Sequence, residues 1–162
     1  MTRFTRFTID SHSPEETQNI GAIIGELALP GDIVLLTGNL GAGKTCLTQG
    51  IAHGLGIMDV AASPSFMLVR QMVGRIPLYH MDLYRMDNLA EIADLGLDEY
   101  FYGKGLSVVE WADRAIELLP PERLLIDIIS IDDMNRVLCF EANGSRYQEL
   151  LQQLKCRMCH RK

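Results

Sequence analysis

The first half of the chain alternates between the hydrophobic period of a strand and that of a helix. Residues 3–9 alternate apolar with polar side chains, which predicts a strand, and a capping box over residues 13–16 then begins a helix that runs to Leu27. Residues 33–36 are all apolar, the pattern of a strand covered on both faces in a parallel sheet. A helical pattern over residues 44–55 follows a glycine-rich turn.

The second half predicts two hairpins and several short helices around another buried strand. In chain order these segments are a hairpin over 66–73 and 76–81, an acidic helical stretch over 88–101 broken at Gly96, a strand over 106–109, a helix over 113–119, a hairpin over 124–131 and 137–141, and a helix over 145–154. This order indicates an α/β fold, with a mixed, partly antiparallel sheet flanked by helices. Because the chain has 162 residues and no repeat, we expect one domain over residues 1–154 and a basic tail over residues 155–162.

Composition and charge exclude several classes of protein. Hydrophobic residues make up 48% of the chain, which excludes a disordered or fibrous protein. The 21 acidic residues outnumber the 15 basic ones, and the formal net charge of −6 repels phosphate backbones, so tight general binding of nucleic acid by this chain alone is not expected. No apolar stretch approaches the ~20 residues that span a bilayer, and no secretory signal is visible. We therefore expect a cytoplasmic protein, without a membrane partner, whose four cysteines are reduced.

The most specific local motif is Gly38-Asn39-Leu40-Gly41-Ala42-Gly43-Lys44-Thr45, which matches G-x-x-x-x-G-K-[ST] at every fixed position. It lies between a predicted buried strand and a predicted helix, the context of a phosphate-binding loop. Glycines let successive backbone N–H groups point at phosphate oxygens, and the following helix adds the positive end of its dipole. Lys44 is expected to reach the β- and γ-phosphates and Thr45 to offer its hydroxyl to Mg²⁺.

The nucleotide is expected to be ATP, because the N/T-K-x-D segment that reads guanine is absent from the sequence. Cys46 directly follows the loop and is included in the predicted nucleotide site. We expect Cys46 to be a small apolar filler, with a reactive thiol as the alternative, because a helix N-terminus lowers the pKa of a thiol.

Two carboxylates end predicted strands and are candidates for the metal and for the attacking water. Asp82 follows residues 76–81, and Glu110 follows residues 106–109. The carboxyl ends of parallel strands form the ligand crevice of open α/β sheets, so both carboxylates can face one site. Helix caps or surface charges are the alternative. Trp111, the one tryptophan, is either a core residue or packs over the nucleotide or a partner surface.

Four motifs, the loop above and three more, resemble in their order and spacing the TsaE family, the bacterial ATPases required for making N6-threonylcarbamoyladenosine in tRNA. The motifs are Leu40-Gly41-Ala42-Gly43-Lys44-Thr45, Ser63-Pro64-Ser65-Phe66, His80-Met81-Asp82-Leu83-Tyr84-Arg85 and Val109-Glu110-Trp111. The resemblance implies a fold similar to P-loop NTPases. It also implies partners, the TsaD and TsaB proteins that transfer the threonylcarbamoyl group, with tRNA contacted mainly through that complex.

The resemblance also implies roles for individual residues. Thr45 and Glu110 are expected to hold Mg²⁺, with Asp82 acting on the metal shell or the attacking water. The segment from Ser63 to Phe66 is expected to sense the γ-phosphate, although Ser65 stands where the family usually has Thr and lacks its methyl group. Weaker matches place Thr17 and Arg136 near the adenine.

Two other functions remain open from the sequence. A small-molecule kinase commonly has an arginine-rich lid, and the only arginine between Asp82 and Glu110 is Arg85. A nucleotide-gated interaction module differs from an ATPase only in whether hydrolysis matters. The basic tail is expected to be a frayed end, with an electrostatic contact to tRNA or an acidic partner as the sharper alternative.

Overall fold

The computed structural model describes residues 4–58, 69–86 and 88–159. Its strands are β1 Phe4–Ser11, β2 Ile33–Thr37, β3 Val69–Val73, β4 Pro77–Asp82, β5 Leu106–Glu110, β6 Arg123–Ser130 and β7 Arg136–Asn143. Its helices are α1 Pro14–Leu27, α2 Lys44–Gly54, α3 Leu89–Ala93, α4 Asp98–Phe101, a 3₁₀ helix Ala112–Leu118, and α5 Ser145–Cys159. The predicted switch segment, Ser63 to Phe66, lies outside the described residues.

The strands form one mixed sheet in the order β1-β7-β6-β2-β5-β4-β3. Strand β2 pairs in parallel with β5 and β6, and β4 pairs in parallel with β5. The pairs β1–β7, β6–β7 and β3–β4 are antiparallel, which confirms both predicted hairpins and the mixed sheet. The wholly apolar runs of β2 and β5 lie side by side at the centre, where both faces of the sheet are buried.

Helices α1 and α2 approach each other closely because glycines face the opposite backbone. A Cβ atom on Gly25 would lie 2.2 Å from the carbonyl oxygen of Ile51, and one on Gly54 would lie 2.1 Å from that of Ala22. The N-cap half of the predicted capping box of α1 is present, since Ser13 Oγ accepts from the Glu16 amide at 3.1 Å. The Glu16 carboxylate accepts from the His12 amide at 2.7 Å instead of that of Ser13. The close contact between the two backbones holds α2, the helix after the phosphate loop, against α1.

Helix α5 attaches to the start of β2 through two polar side chains. Arg146 donates to both carboxylate oxygens of the buried Asp32, at 3.0 and 2.8 Å. The Tyr147 hydroxyl accepts from the Ile33 amide at 3.0 Å. These contacts join a helix near the end of the chain to the strand that leads into the phosphate loop.

Two predicted helix boundaries are wrong. Helix α5 continues past the predicted end at Leu154 to Cys159, because Leu154 is buried, Met158 packs against the core and Lys155 lies 4.4 Å from the Phe7 ring centre. Residues 155–159 are therefore helical and not part of a tail. The predicted α-helix over 113–119 is a 3₁₀ helix broken at Ala115, whose φ of −146° is not helical.

Candidate functional site

The loop between β2 and α2 has the curled backbone that a phosphate-binding loop requires. Gly38, Gly41 and Gly43 have φ values of 141°, 79° and 112°, which favour glycine. A Cβ atom on Gly38 would also lie 2.6 Å from the Ile128 carbonyl oxygen. Helix α2 starts from Gly43 with no side-chain hydrogen bond capping it in the described structure, so its first amides remain available to an anion.

Lys44 is almost wholly buried and points back into the loop. Its Nζ donates to the carbonyl oxygens of Gly38 at 2.6 Å and Asn39 at 3.0 Å. It also lies 3.8 Å from the centre of the Trp111 ring. Burial lowers the pKa of Lys44, and the nearby carboxylates of Glu110 and Asp113 oppose that shift. The ammonium is therefore already at the loop, held by groups that phosphate oxygens can replace.

Trp111 is half-buried, packs against the hydrophobic core and lies beside the loop, so its predicted packing over the nucleotide stays a prediction. Its ring packs at 4.7 Å on Tyr84, and Arg114 lies 5.5 Å from the Tyr84 ring centre. Its φ of 58° is the one positive value among the described non-glycine residues. This conformation costs a bulky residue about 1–2 kcal/mol, so the surrounding contacts hold it there.

The two predicted carboxylates end neighbouring parallel strands, where Asp82 and Glu110 are directly paired in the register. Glu110 is buried, and its Oε1 accepts from the Thr45 hydroxyl at 3.1 Å. That contact excludes the surface-charge alternative for Glu110. Asp82 accepts from the Tyr84 amide at 2.9 Å, a contact within the turn after β4 and not the helix cap of the alternative, because Asn88 is the N-cap of α3.

The donor set fits a magnesium ion. A hydroxyl and a carboxylate meet at the end of the phosphate loop, with a second carboxylate on the adjacent strand end. These are hard oxygen ligands of the type that Mg²⁺ takes beside nucleotide phosphates. No cluster of three or more His, Cys, Asp or Glu side chains suited to a metal occurs in the part of the chain that the structure describes.

Sequence reasoning assigned no role to two residues that contact Glu110. The Thr48 hydroxyl lies 3.0 Å from the Lys44 carbonyl oxygen and 3.3 Å from Glu110 Oε2, and its one proton can be shared between these two acceptors. His80, fully buried on β4, hydrogen-bonds to the same oxygen through Nε2. The available signals were the spacing of Thr48 one helical turn after Thr45, and of His80 two strand positions before Asp82, which places it on the same face.

Arg136 braces the phosphate loop in this structure. Its Nε donates to the Ala42 carbonyl at 2.8 Å, and its Nη1 donates to the carbonyls of Asn135 at 3.0 Å and of Asp132. The predicted adenine contact of Arg136 stays a prediction. Ala42 itself is buried, whereas Leu40 of the same loop is 77% exposed.

Cys46 is half-buried, as expected, and Thr17 is buried. Burial raises the pKa of the Cys46 thiol, with the Arg136 guanidinium opposing, which agrees with the expected filler and not with the alternative of a reactive thiol. The Thr17 hydroxyl lies 2.7 Å from that of Ser11. Their places in a nucleotide site stay predictions, as does that of Ser65, which lies outside the described residues.

A cavity of about 730 Å³ opens beside the phosphate loop on the β1-β7-β6-β2 part of the sheet. Gly38, Asn39 and Trp111 line one end, and Asp127 and Cys139 line the sheet side. Asp127 accepts from the Thr37 hydroxyl at 2.8 Å. The cavity exposes the end of the loop at Gly38 and Asn39, whose carbonyl oxygens accept from Lys44.

Known proteins resemble this chain over most of its length. The family model described as "Threonylcarbamoyl adenosine biosynthesis protein TsaE" matches residues 11–138. A tRNA threonylcarbamoyladenosine biosynthesis protein TsaE from Bacillus subtilis is 48% identical over 143 residues, covering 88% of this chain and 89% of the relative. The protein of the same name from Treponema pallidum is 41% identical and covers 78% and 93%.

A solved structure shares the fold. The crystal structure of YdiB from Bacillus subtilis superposes with a TM-score of 0.84 at 42% identity, covering 96% of this chain and 97% of that one. Among the described helices, none combines the length and the apolar character needed to cross a membrane.

Proposed function

The chain belongs to the TsaE family, and from that membership and the site geometry we propose that it is a Mg²⁺-dependent ATPase acting in the formation of threonylcarbamoyladenosine on tRNA. The observation that carries the proposal is the hydrogen bond of 3.1 Å between Thr45 Oγ1 and Glu110 Oε1. It joins the end of a phosphate loop to a buried carboxylate, the pair of groups that P-loop NTPases use beside nucleotide phosphates.

Nucleotide binding uses the loop backbone and Lys44. The curled backbone and the uncapped start of α2 supply amide donors to the phosphate oxygens. The Lys44 ammonium exchanges the carbonyls of Gly38 and Asn39 for phosphate oxygens, a stronger, charge-assisted interaction. Since the ammonium already lies at the loop, the exchange requires little movement of its backbone.

Three side chains serve the metal and the hydrolysis step. Thr45 and Glu110 hold Mg²⁺, and Asp82 orients the attacking water or the metal's water shell. Magnesium, when bound, neutralises charge on the phosphate oxygens. Burial of Glu110 keeps bulk water from screening this carboxylate.

The proposal includes partners, the TsaD and TsaB proteins, with tRNA reached mainly through them. The net charge of −6 supports this division, because an acidic chain gains little from a direct phosphate-backbone contact. The open cavity beside Gly38 and Trp111 leaves the site accessible to an approaching protein.

The test is calorimetric titration of ATP in magnesium buffer. We expect saturable binding to the wild-type chain and a loss on the order of 30-fold or more in Lys44→Ala, because a buried charge partner of the phosphates is removed. Lys104→Ala removes an exposed lysine of equal charge and is the matched control. Absence of ATP binding to the wild-type chain contradicts the proposal.

The biological role is tested by reconstitution with TsaD and TsaB, measuring modified tRNA over many turnovers. Glu110→Gln keeps the side-chain volume but removes the metal-binding charge, so we expect ATP hydrolysis and modified tRNA both to fall. A variant that binds ATP, fails to hydrolyse it and still supports full modification supports the nucleotide-gated module instead.

A further inference from the structure

His80 is a buried polar residue within a motif that left its role open. It lies on β4, two residues before Asp82, and its side chain is wholly inaccessible to solvent. In the parallel register it pairs with Val108, two residues before Glu110. A histidine at this position reaches Glu110 at the end of the adjacent strand. A hydrophobic side chain at the same buried position would avoid the free-energy cost of burying a polar group.

The Glu110 carboxylate receives donors on both oxygens. Thr45 donates to Oε1, and His80 Nε2 hydrogen-bonds to Oε2. The Thr48 hydroxyl has one proton, and the Lys44 carbonyl oxygen lies nearer to it than Oε2 does. A carboxylate oxygen accepts, so His80 Nε2 is the donor that holds the oxygen facing away from Thr45.

The other ring nitrogen of His80 has no partner of its own. Among the described residues, His80 Nδ1 is buried without a hydrogen-bond partner. The contact with Glu110 is therefore the one hydrogen bond that the described residues give this imidazole. An unsatisfied buried polar atom lowers stability, so packing alone does not favour histidine here.

The geometry points to His80 as a positioning residue that fixes the rotation of the Glu110 carboxylate, presenting Oε1 to Thr45 and to the magnesium position. This inference rests on the proposed function, because it assigns the metal to that oxygen. Partners that orient a metal ligand typically change metal affinity or activity by 10- to 100-fold when removed. Removal of the His80 donor frees the carboxylate to rotate, and a fixed ligand becomes a mobile one.

The experiment compares three substitutions in the full chain. His80→Gln carries an amide nitrogen near the position of Nε2 and keeps the donor to Glu110. His80→Asn carries the same amide but stops near the position of Nδ1, out of reach. His80→Leu removes all polarity. Each variant is titrated by calorimetry with a non-hydrolysable ATP analogue, first in EDTA and then at increasing Mg²⁺, and its steady-state hydrolysis of ATP is measured separately.

We expect the affinity for the analogue in EDTA to stay within about twofold in all three variants, because the loop and Lys44 are unchanged. The Mg²⁺ concentration that gives half of the gain in analogue affinity should rise about 10-fold or more in His80→Asn and His80→Leu. In His80→Gln it should stay near the wild-type value. Turnover at limiting Mg²⁺ should follow the same order. If the His80→Leu variant does not fold, the comparison of His80→Gln with His80→Asn tests the inference by itself.

Two outcomes overturn the inference. One is an unchanged Mg²⁺ requirement in His80→Asn. The other is a Mg²⁺ requirement raised equally in His80→Gln and His80→Asn, which would show that the shape of the ring matters and not its hydrogen-bond donor. Failure of the proposed function gives a different result, since the wild-type chain itself then shows no gain in analogue affinity with Mg²⁺.

Discussion

The Lys44 ammonium and the Trp111 ring are in cation–π contact, with Nζ 3.8 Å from the ring centre. The same ammonium donates to two carbonyls of the phosphate loop. The emission of the indole therefore depends on the position of the cation that would bind the phosphates. Two residues separated along the chain thus join the loop to the strand end that carries Glu110.

Nucleotide binding should change the fluorescence of Trp111. The chain has one tryptophan, and movement of the ammonium from its ring onto phosphate oxygens alters the field at the indole. We expect a saturable change in emission on titration with ATP and Mg²⁺, at the concentrations found by calorimetry. Lys44→Ala should give no such change, and constant emission despite calorimetric binding would contradict the contact.

Removal of the Lys44 charge should stabilise the nucleotide-free protein at neutral pH. Burial lowers the pKa of Lys44 below its ordinary 10.5, so the folded state binds fewer protons than the unfolded state between those two pKa values. The free energy of unfolding therefore rises with pH between the lowered pKa and 10.5. At lower pH, including pH 7, the buried ammonium destabilises the folded state by its full amount. Lys44→Met lacks this cost, and each ~1 kcal/mol relieved raises Tm by about 2–4 °C.

Thermal unfolding of wild type and Lys44→Met from pH 7 to pH 10.5 checks this prediction. The difference in Tm should be largest at pH 7 and should shrink toward pH 10.5. Lys104→Met, at an exposed lysine, should show no such trend. A Tm difference independent of pH would argue against a burial cost at Lys44.

Tyr147→Phe should destabilise the protein at neutral pH, because the buried Ile33 amide loses its acceptor. An unsatisfied amide of this kind costs about 1–3 kcal/mol. Burial, assisted by the Asp32 charge, raises the pKa of Tyr147 to about 12. Between the ordinary value of 10.0 and this value the unfolded chain releases a proton that the folded chain keeps, so stability falls as pH rises.

Urea unfolding at pH 7 and pH 11 measures both effects. Wild type should lose stability at the higher pH through Tyr147, whereas the Phe variant lacks this contribution, so the gap between them should narrow. Tyr102→Phe, at a residue 75% exposed, is the control. A gap that widens at pH 11 would be inconsistent with a raised phenol pKa.

Gly54→Ala should destabilise the fold despite the better helix propensity of alanine. The added Cβ would lie 2.1 Å from the Ala22 carbonyl oxygen, and α1 and α2 would have to separate. Overpacking of this kind costs about 1–3 kcal/mol, whereas the propensity gain is about 1 kcal/mol. Urea unfolding gives the net value, with His53→Ala on the exposed face of α2 as a near-neutral control. A stabilised Gly54→Ala would show that the helices can move apart.

The sequence alone determined the features that depend on contiguous residues. The phosphate loop is one run from Gly38 to Thr45, and its glycine conformations follow from local backbone sterics. The capping box at Ser13 and the apolar runs of β2 and β5 are equally local. These patterns were sufficient to predict a mixed sheet and the strand-end carboxylates, because alternation and short apolar runs report burial directly.

Only the tertiary structure decided which distant side chains meet. Hydrophobic alternation gives the face of a strand but not its neighbour, so the order that puts β4, β5 and β2 side by side could not be predicted from it. The contacts of Glu110 with Thr45 and His80 depend on that order. The choice between a filler and a reactive thiol at Cys46 depended on the structure for the same reason, because burial by surrounding elements outweighs the local helix end.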